Sequence, residues 1–266
     1  MQQTNQRVLT MDHGYNFRDL GGYQTNDGQT VKWQRVIRTG TLAYLSQHDQ
    51  QALVDYGIKF DVDFRSDVEV AQAPDQIPND ILYRHLPVFP DDKTDASKSQ
   101  AELSAELKTR KMNGFDHMVR VYQNMVTQPQ AQAAYRAFFA ALLTNTNEKD
   151  GLLFHCTAGK DRTGMGATFF LSALGVPKKI IKQDYLLTND ILASLVQNRL
   201  IKAKNEGITG TTLDTIKAQM TVSSGYFDAA MKVINDNYGT MPQFLKDALQ
   251  LSSEDVNDLK KLYLTD

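Results

Sequence analysis

GLLFHCTAGKDRTGMGATFFLSALG, residues 151–175, places an apolar run, a polar turn and a helical run in immediate succession. Gly151 to Phe154 reads as a short buried strand, and Met165 to Leu174 as a helix that Gly175 can terminate. His155 to Gly164 is the loop between them. A strand feeding a helix through so short a turn is an α/β unit. Five residues separate Cys156 from Arg162, a loop length that can curl around one tetrahedral oxyanion.

Thr157, Ala158, Gly159, Lys160 and Asp161 supply backbone N–H groups for such an anion, and the start of the following helix adds its dipole. Arg162 adds a planar fork able to hold two phosphoryl oxygens. The same positive field favours the thiolate of Cys156. Attack of that thiolate on phosphorus would displace an alcohol or phenol and leave a phosphocysteine, which water then hydrolyses to inorganic phosphate. Backbone donors and Arg162 would stabilise the equatorial oxygens in both steps, with no metal and no cofactor required. A nucleotide-binding P-loop is excluded: that motif needs a glycine before the lysine with Ser or Thr after it, and here Asp161 follows Lys160.

Outward from this unit, the chain alternates strand and helix signals. Residues 1–14 read as a loosely held arm. NFRDLGGY (Asn16–Tyr23) is a polar turn, and NDGQ (Asn26–Gln29) a hairpin turn. A strand is expected at Val36–Arg38, a helix from a Ser46 cap to Tyr56 with Gly57 beyond it, and a strand at Ile58–Phe64. In that last strand Asp61 and Asp63 alternate with apolar residues, so it lies near an edge or turns one face into a polar site. The stretch 90–114 is polar, then helical around Leu103 and Leu107. It reads as a helical lid insertion or as a surface excursion. Helices are expected at Phe115–Met125 and Pro129–Leu143, and helical spacing continues to the end. The fold expected over residues 1–266 is a single α/β domain: a mostly parallel central sheet flanked by helices, with a helical C-terminal half.

Composition narrows the remaining classes. The 29 Lys and Arg against 31 Asp and Glu give a net charge of -2, so no global attraction to nucleic acid is expected. No run reaches 18 apolar residues, and the N-terminus lacks the apolar segment of a signal peptide, which predicts a cytoplasmic protein without an integral membrane segment. Cys156 is the single cysteine. It excludes an intrachain disulfide and a multi-thiolate zinc site. His13, His48, His85 and His117 do not cluster in sequence with carboxylates of ligand spacing, so no metal site is expected.

NFRDLGGY, VIRTGTLAYLS, DFRSDVE, HCTAGKDRTG and DYLLTN, in that order, resemble the bacterial and fungal tyrosine/serine phosphatases within the cysteine-dependent phosphatase superfamily. The resemblance implies Cys156 as nucleophile, Arg162 as phosphate-binding arginine and Thr163 as the hydroxyl that bonds the cysteine sulfur. It points to Asp161 as general acid; Asp63 is the second choice, from its place at the C-terminal end of a strand expected beside that of Cys156. Lys160 and Asp161 match the lysine and aspartate of the family's loop. Asp61 departs from it, standing where the family generally has an aliphatic residue. His155 is expected to order the loop. Asn16, Arg18 and Asp19 are expected to form a buried brace beside it, with Arg38 in the same network. Glu69 is expected to pair with Arg65. Substrates implied are phosphotyrosine proteins, with phosphoserine and phosphothreonine if the pocket is shallow. Phosphoinositides are the alternative, and an inactive phosphate-binding module is the reading of another class.

Overall fold

Strand β5 (Gly151–His155) lies at the centre of a five-stranded sheet, between β2 (Val36–Thr39) and β3 (Ile58–Asp63), and runs parallel to both. Strand β4 (Leu82–His85) extends the parallel set beyond β3. The two-residue β1 (Arg18–Asp19) pairs antiparallel with β2 at the opposite edge. This computed structural model describes residues 6–91, 94 and 113–265. The expected lid, apart from its ends and Thr94, lies outside the described residues.

The sheet holds its place by burying both faces. Leu152 and Phe154 of β5 enter a large core with Val62, Phe64, Phe138 and Met165. Leu153 enters a smaller one with Ile37, Leu53 and Ile58. That is why GLLF is apolar throughout, as a central parallel strand must be. Helix α1 (Gln47–Tyr56) covers the small face, and α4 (Pro129–Thr144) and α5 (Arg162–Ala173) cover the large one. Helix α1 has the ends its sequence predicts. Ser46 and Asp49 form a reciprocal capping box, and Gly57 takes φ 91° beyond the last turn.

The expected strand Ile58–Phe64 ends at Asp63, but Phe64 still donates to His155 O at 2.9 Å. It is an interior strand, so of the two accounts of its aspartates the polar-site one applies. Asp61 stands in register with Leu153, and Asp63 with His155, on the face opposite Val62 and Phe154. At NDGQ, Gly28 takes φ 83° and Thr25 donates to Gln29 O at 2.8 Å, closing the turn.

The N-terminal arm departs from expectation. Arg7 donates to Asp19 O at 2.8 Å and to Gly21 O at 2.7 Å, and its guanidinium stacks 3.7 Å from the Tyr23 ring centre. The arm is thus pinned from Arg7 onward. A lone arginine among polar residues carries no local sign of such docking.

Helices α2 (Asp67–Gln72) and α3 (Gly114–Thr127) complete the N-terminal part. After β5 the described elements are helices: α5, α6 (Lys178–Ile191), α7 (Ala193–Asn205), α8 (Gly210–Met220), α9 (Ser224–Tyr238), α10 (Met241–Asp247) and α11 (Ser253–Tyr263). Among the described residues no helix is long and apolar enough to cross a membrane.

Candidate active site

From β5 to α5 the chain passes through bends at Thr157–Asp161. The carbonyl groups of this loop are held from outside. Thr157 O accepts from the Tyr15 hydroxyl at 2.8 Å and from Thr41 N at 2.9 Å. Ala158 O accepts from Asn16 Nδ2 at 3.0 Å, and Gly159 O from the same nitrogen at 2.9 Å and from Arg38 at 3.0 Å. With no cis peptide among the described residues, each following N–H points away from its anchored carbonyl. The amides of Ala158, Gly159 and Lys160 therefore face the other side, as an anion nest requires. Gly159 is demanded twice over. It takes φ 65°, and an added Cβ would lie 2.2 Å from Thr39 O.

The brace runs deeper than NFRDLGGY alone. Asn16 sits at φ 60°, a region asparagine tolerates, and accepts from Arg18 on its side-chain oxygen. Arg18 and Arg38 then converge on Asp184 of α6, at 3.1 and 2.6 Å. Arg18 also reaches Thr188, one turn along the same helix, at 2.9 Å. Asp184 and Thr188 belong to the DYLLTN phrase, but the sequence offered no way to pair them with β1 and β2. Asp19 lies elsewhere in the network than expected. Its carboxylate accepts from Gly21 N, Gln34 N and the Tyr56 hydroxyl, pinning the turn against α1 rather than touching the loop.

Burial pushes the Asp184 carboxyl up, but the two guanidinium groups outweigh it and hold it at about 2, below the usual carboxylate value. A carboxylate with a depressed folded-state value stabilises the fold above its unfolded value near 4, and that contribution is lost as pH falls towards 2. The depression corresponds to about 2 kcal/mol. Asp184→Asn should therefore be less stable than wild type by at least about 2 kcal/mol at pH 7 in urea denaturation, with the gap narrowing between pH 4 and pH 2. A gap independent of pH would assign the loss to packing.

Cys156 and Arg162 are both buried, at 2% and 1% exposure. Arg162 is the first residue of α5, and Glu69 grips its fork with contacts of 2.6 and 2.8 Å. Thr94 accepts from the same guanidinium at 3.2 Å. Glu69 also receives the Thr157 hydroxyl, and its capping box at the start of α2 fixes its direction. The expected Glu69–Arg65 pair is therefore not formed. Arg65 is committed to Asp63 and Asp75, at 2.7 and 2.6 Å. Burial raises the Glu69 carboxyl, yet Arg162 and Thr157 bring it down to about 2. The Thr163 hydroxyl is buried and makes no hydrogen bond, so the bond to sulfur implied by the resemblance is absent from this arrangement.

Asp161 accepts on both oxygens, from Lys160 Nζ at 2.5 Å and from the Tyr122 hydroxyl at 2.7 Å. Tyr185 donates in turn to Tyr122 at 2.9 Å. Asp63 is bound to Arg65 and accepts from Tyr83 at 3.0 Å. Behind the loop, His155 Nε2 lies 3.3 Å from Asp61, 3.2 Å from Asp75 and 3.8 Å from Asp63. Burial lowers the affinity of this ring for a proton, but the three carboxylates more than compensate and hold it well above the ordinary histidine value. Asp75, Glu69, Tyr122 and Asp184 are the site's neighbours that sequence reasoning missed as such. Each arrives from a different element.

Comparison with known proteins agrees with this geometry. The chain is 31% identical over 259 residues to a candidate tyrosine-protein phosphatase of Cupriavidus necator, covering 96% of this chain and 88% of that protein. It is 28% identical to the triple specificity protein phosphatase of Mycobacterium tuberculosis, over 97% of this chain and 99% of that one. A tyrosine-protein phosphatase of Nostoc commune is 27% identical over 84% of this chain and 72% of its own. The family model matches residues 9–265, nearly the whole of the architecture described above. A cysteine at the end of the central strand, an arginine opening the next helix and this match together place the chain in the tyrosine phosphatase family.

Proposed function

We propose that this chain is a phosphomonoester hydrolase acting through a phosphocysteine on Cys156, with no metal ion in the chemical step, and that it is a protein-tyrosine phosphatase with activity towards phosphoserine and phosphothreonine. The observation that carries this reading is the outward anchoring of the Thr157, Ala158 and Gly159 carbonyls, which turns their amides into a preformed anion nest between Cys156 and Arg162. The Cys156 thiolate attacks phosphorus and the ester oxygen leaves with a proton from Asp161. Water then attacks the phosphocysteine, returning a proton to Asp161, and phosphate leaves with the thiolate regenerated. Arg162, aimed by Glu69, binds the phosphoryl oxygens throughout.

A phosphoinositide substrate is the second reading. It is favoured by Lys160, a further cation held buried within the loop. The test is hydrolysis of p-nitrophenyl phosphate, a phosphotyrosine peptide and phosphoinositides by reduced protein in the presence of chelator. No turnover of any of them between about pH 5 and 7.5 would leave only the phosphate-binding module.

Asp161→Asn separates the two roles that its contacts allow. If Asp161 donates the proton, the variant should lose activity on alkyl phosphates far more than on aryl phosphates with good leaving groups, because a phenolate needs little protonation. The expected loss on alkyl esters is about 10²–10⁴-fold. A uniform loss across leaving groups would make Asp161 a brace for Lys160 and Tyr122.

A further inference from the structure

Asp61 and His155 form a buried site that the protein's own groups leave incomplete. Their side chains are 1% and 0% exposed; His155 Nε2 stands 3.3 Å from Asp61 Oδ1 as an ion pair, but neither Asp61 oxygen nor Nε2 makes an aligned hydrogen bond. Asp75, with its side chain 3% exposed, completes the group.

His155 Nδ1 lies 3.2 Å from the Cys156 carbonyl oxygen, which can only accept, so Nδ1 carries a hydrogen. Nε2 is then the nitrogen that faces Asp61 Oδ1 at 3.3 Å and Asp75 Oδ2 at 3.2 Å. In a tetrahedral shell with bonds near 2.0–2.1 Å, neighbouring ligand atoms stand about 3.3 Å apart. The three atoms lie within 4.8 Å of one another.

Charge supports the same occupant. Asp61, Asp63 and Asp75 face Arg65 and His155 here, with Tyr83 and Thr41 as neutral neighbours. A proton on Nε2 leaves the cluster one negative charge in excess and is shared between two carboxylates. A divalent cation with neutral His155 balances it and gives Asp61 Oδ1 and His155 Nε2 a common partner. The outer partners are in place too. His155 gives its other N–H to a carbonyl, and Asp75 accepts from Arg65 at 2.6 Å and from Leu42 N at 3.1 Å, as ligands of a bound metal are commonly supported.

We propose that Asp61, Asp75 and His155 bind a divalent cation of the zinc type behind the Cys156 loop, where it ties β3, β5 and the α2–β4 connection together. One imidazole and two carboxylates without a thiolate suit such an ion. It contributes nothing to the phosphoryl transfer, because His155 leaves the strand on the side opposite Cys156. Sequence reading missed the group because its members are 14 and 80 residues apart along the chain.

The test uses the untagged full-length chain carrying Cys156→Ser, so that the active-site thiol cannot hold metal, titrated with Zn2+ alone. One equivalent should bind and raise the thermal midpoint. Asp61→Leu and Asp75→Asn should each weaken binding by at least about 100-fold. His48→Gln, which alters the separate Asp12–His48–Asp49 group, should leave it unchanged. Zinc that neither binds nor stabilises, or that binds equally well to Asp61→Leu, would overturn the proposal. So would a nitrogen NMR spectrum in saturating zinc showing hydrogens on both ring nitrogens of His155, a reading that does not depend on any Asp61 or Asp75 variant folding.

Discussion

Cys156→Ser is expected to lower p-nitrophenyl phosphate turnover by at least about 10⁴-fold while leaving phosphate binding intact. Serine keeps roughly the size of the side chain but is a far weaker nucleophile than cysteine, so the covalent step fails. The nest that binds the anion is built elsewhere, from backbone held by Tyr15, Asn16, Thr41 and Arg38. The variant should therefore still show a phosphate-induced rise in thermal midpoint. Full activity in Cys156→Ser would refute the phosphocysteine. Loss of phosphate binding along with turnover would mean that the thiol shapes the nest.

Arg162→Ala should remove both properties, with kcat/KM falling by about 10³-fold or more. It also strands the Glu69 carboxylate, which is buried and directed at the guanidinium by its place in the α2 capping box. Breaking a buried pair from one side costs about 3–5 kcal/mol. For a chain of this length that corresponds to roughly 6–20 °C in thermal midpoint. Glu69→Ala offers the informative contrast. There the uncompensated charge is positive and faces the nest, so phosphate should raise its midpoint by more than it raises that of wild type. Equal shifts in the two proteins would show that Glu69 does not orient Arg162.

Much of the architecture was legible because it is written locally. A strand–loop–helix with five residues between Cys156 and Arg162 announces its turn, its apolar faces and its family within one window. The α1 capping box with Gly57 and the Asp-Gly hairpin turn were readable for the same reason: each is satisfied by residues within a few positions of one another.

What sequence by itself determined about this protein is therefore its α/β order, its central apolar strand, the loop that carries Cys156 and Arg162, and its family. Tertiary structure alone decided how the charges pair. Glu69 stands four residues from Arg65 yet serves Arg162, 93 positions away, and Asp184 joins Arg18 to Arg38 across 166 and 146 positions. A buried charge must be compensated by whatever partner packing brings within about 3 Å, and proximity along the chain has no say in that choice. Asp61 shows the same physics from the other side. Its alternation marked a polar face, but only the parallel pairing of β3 with β5 turned that face towards His155.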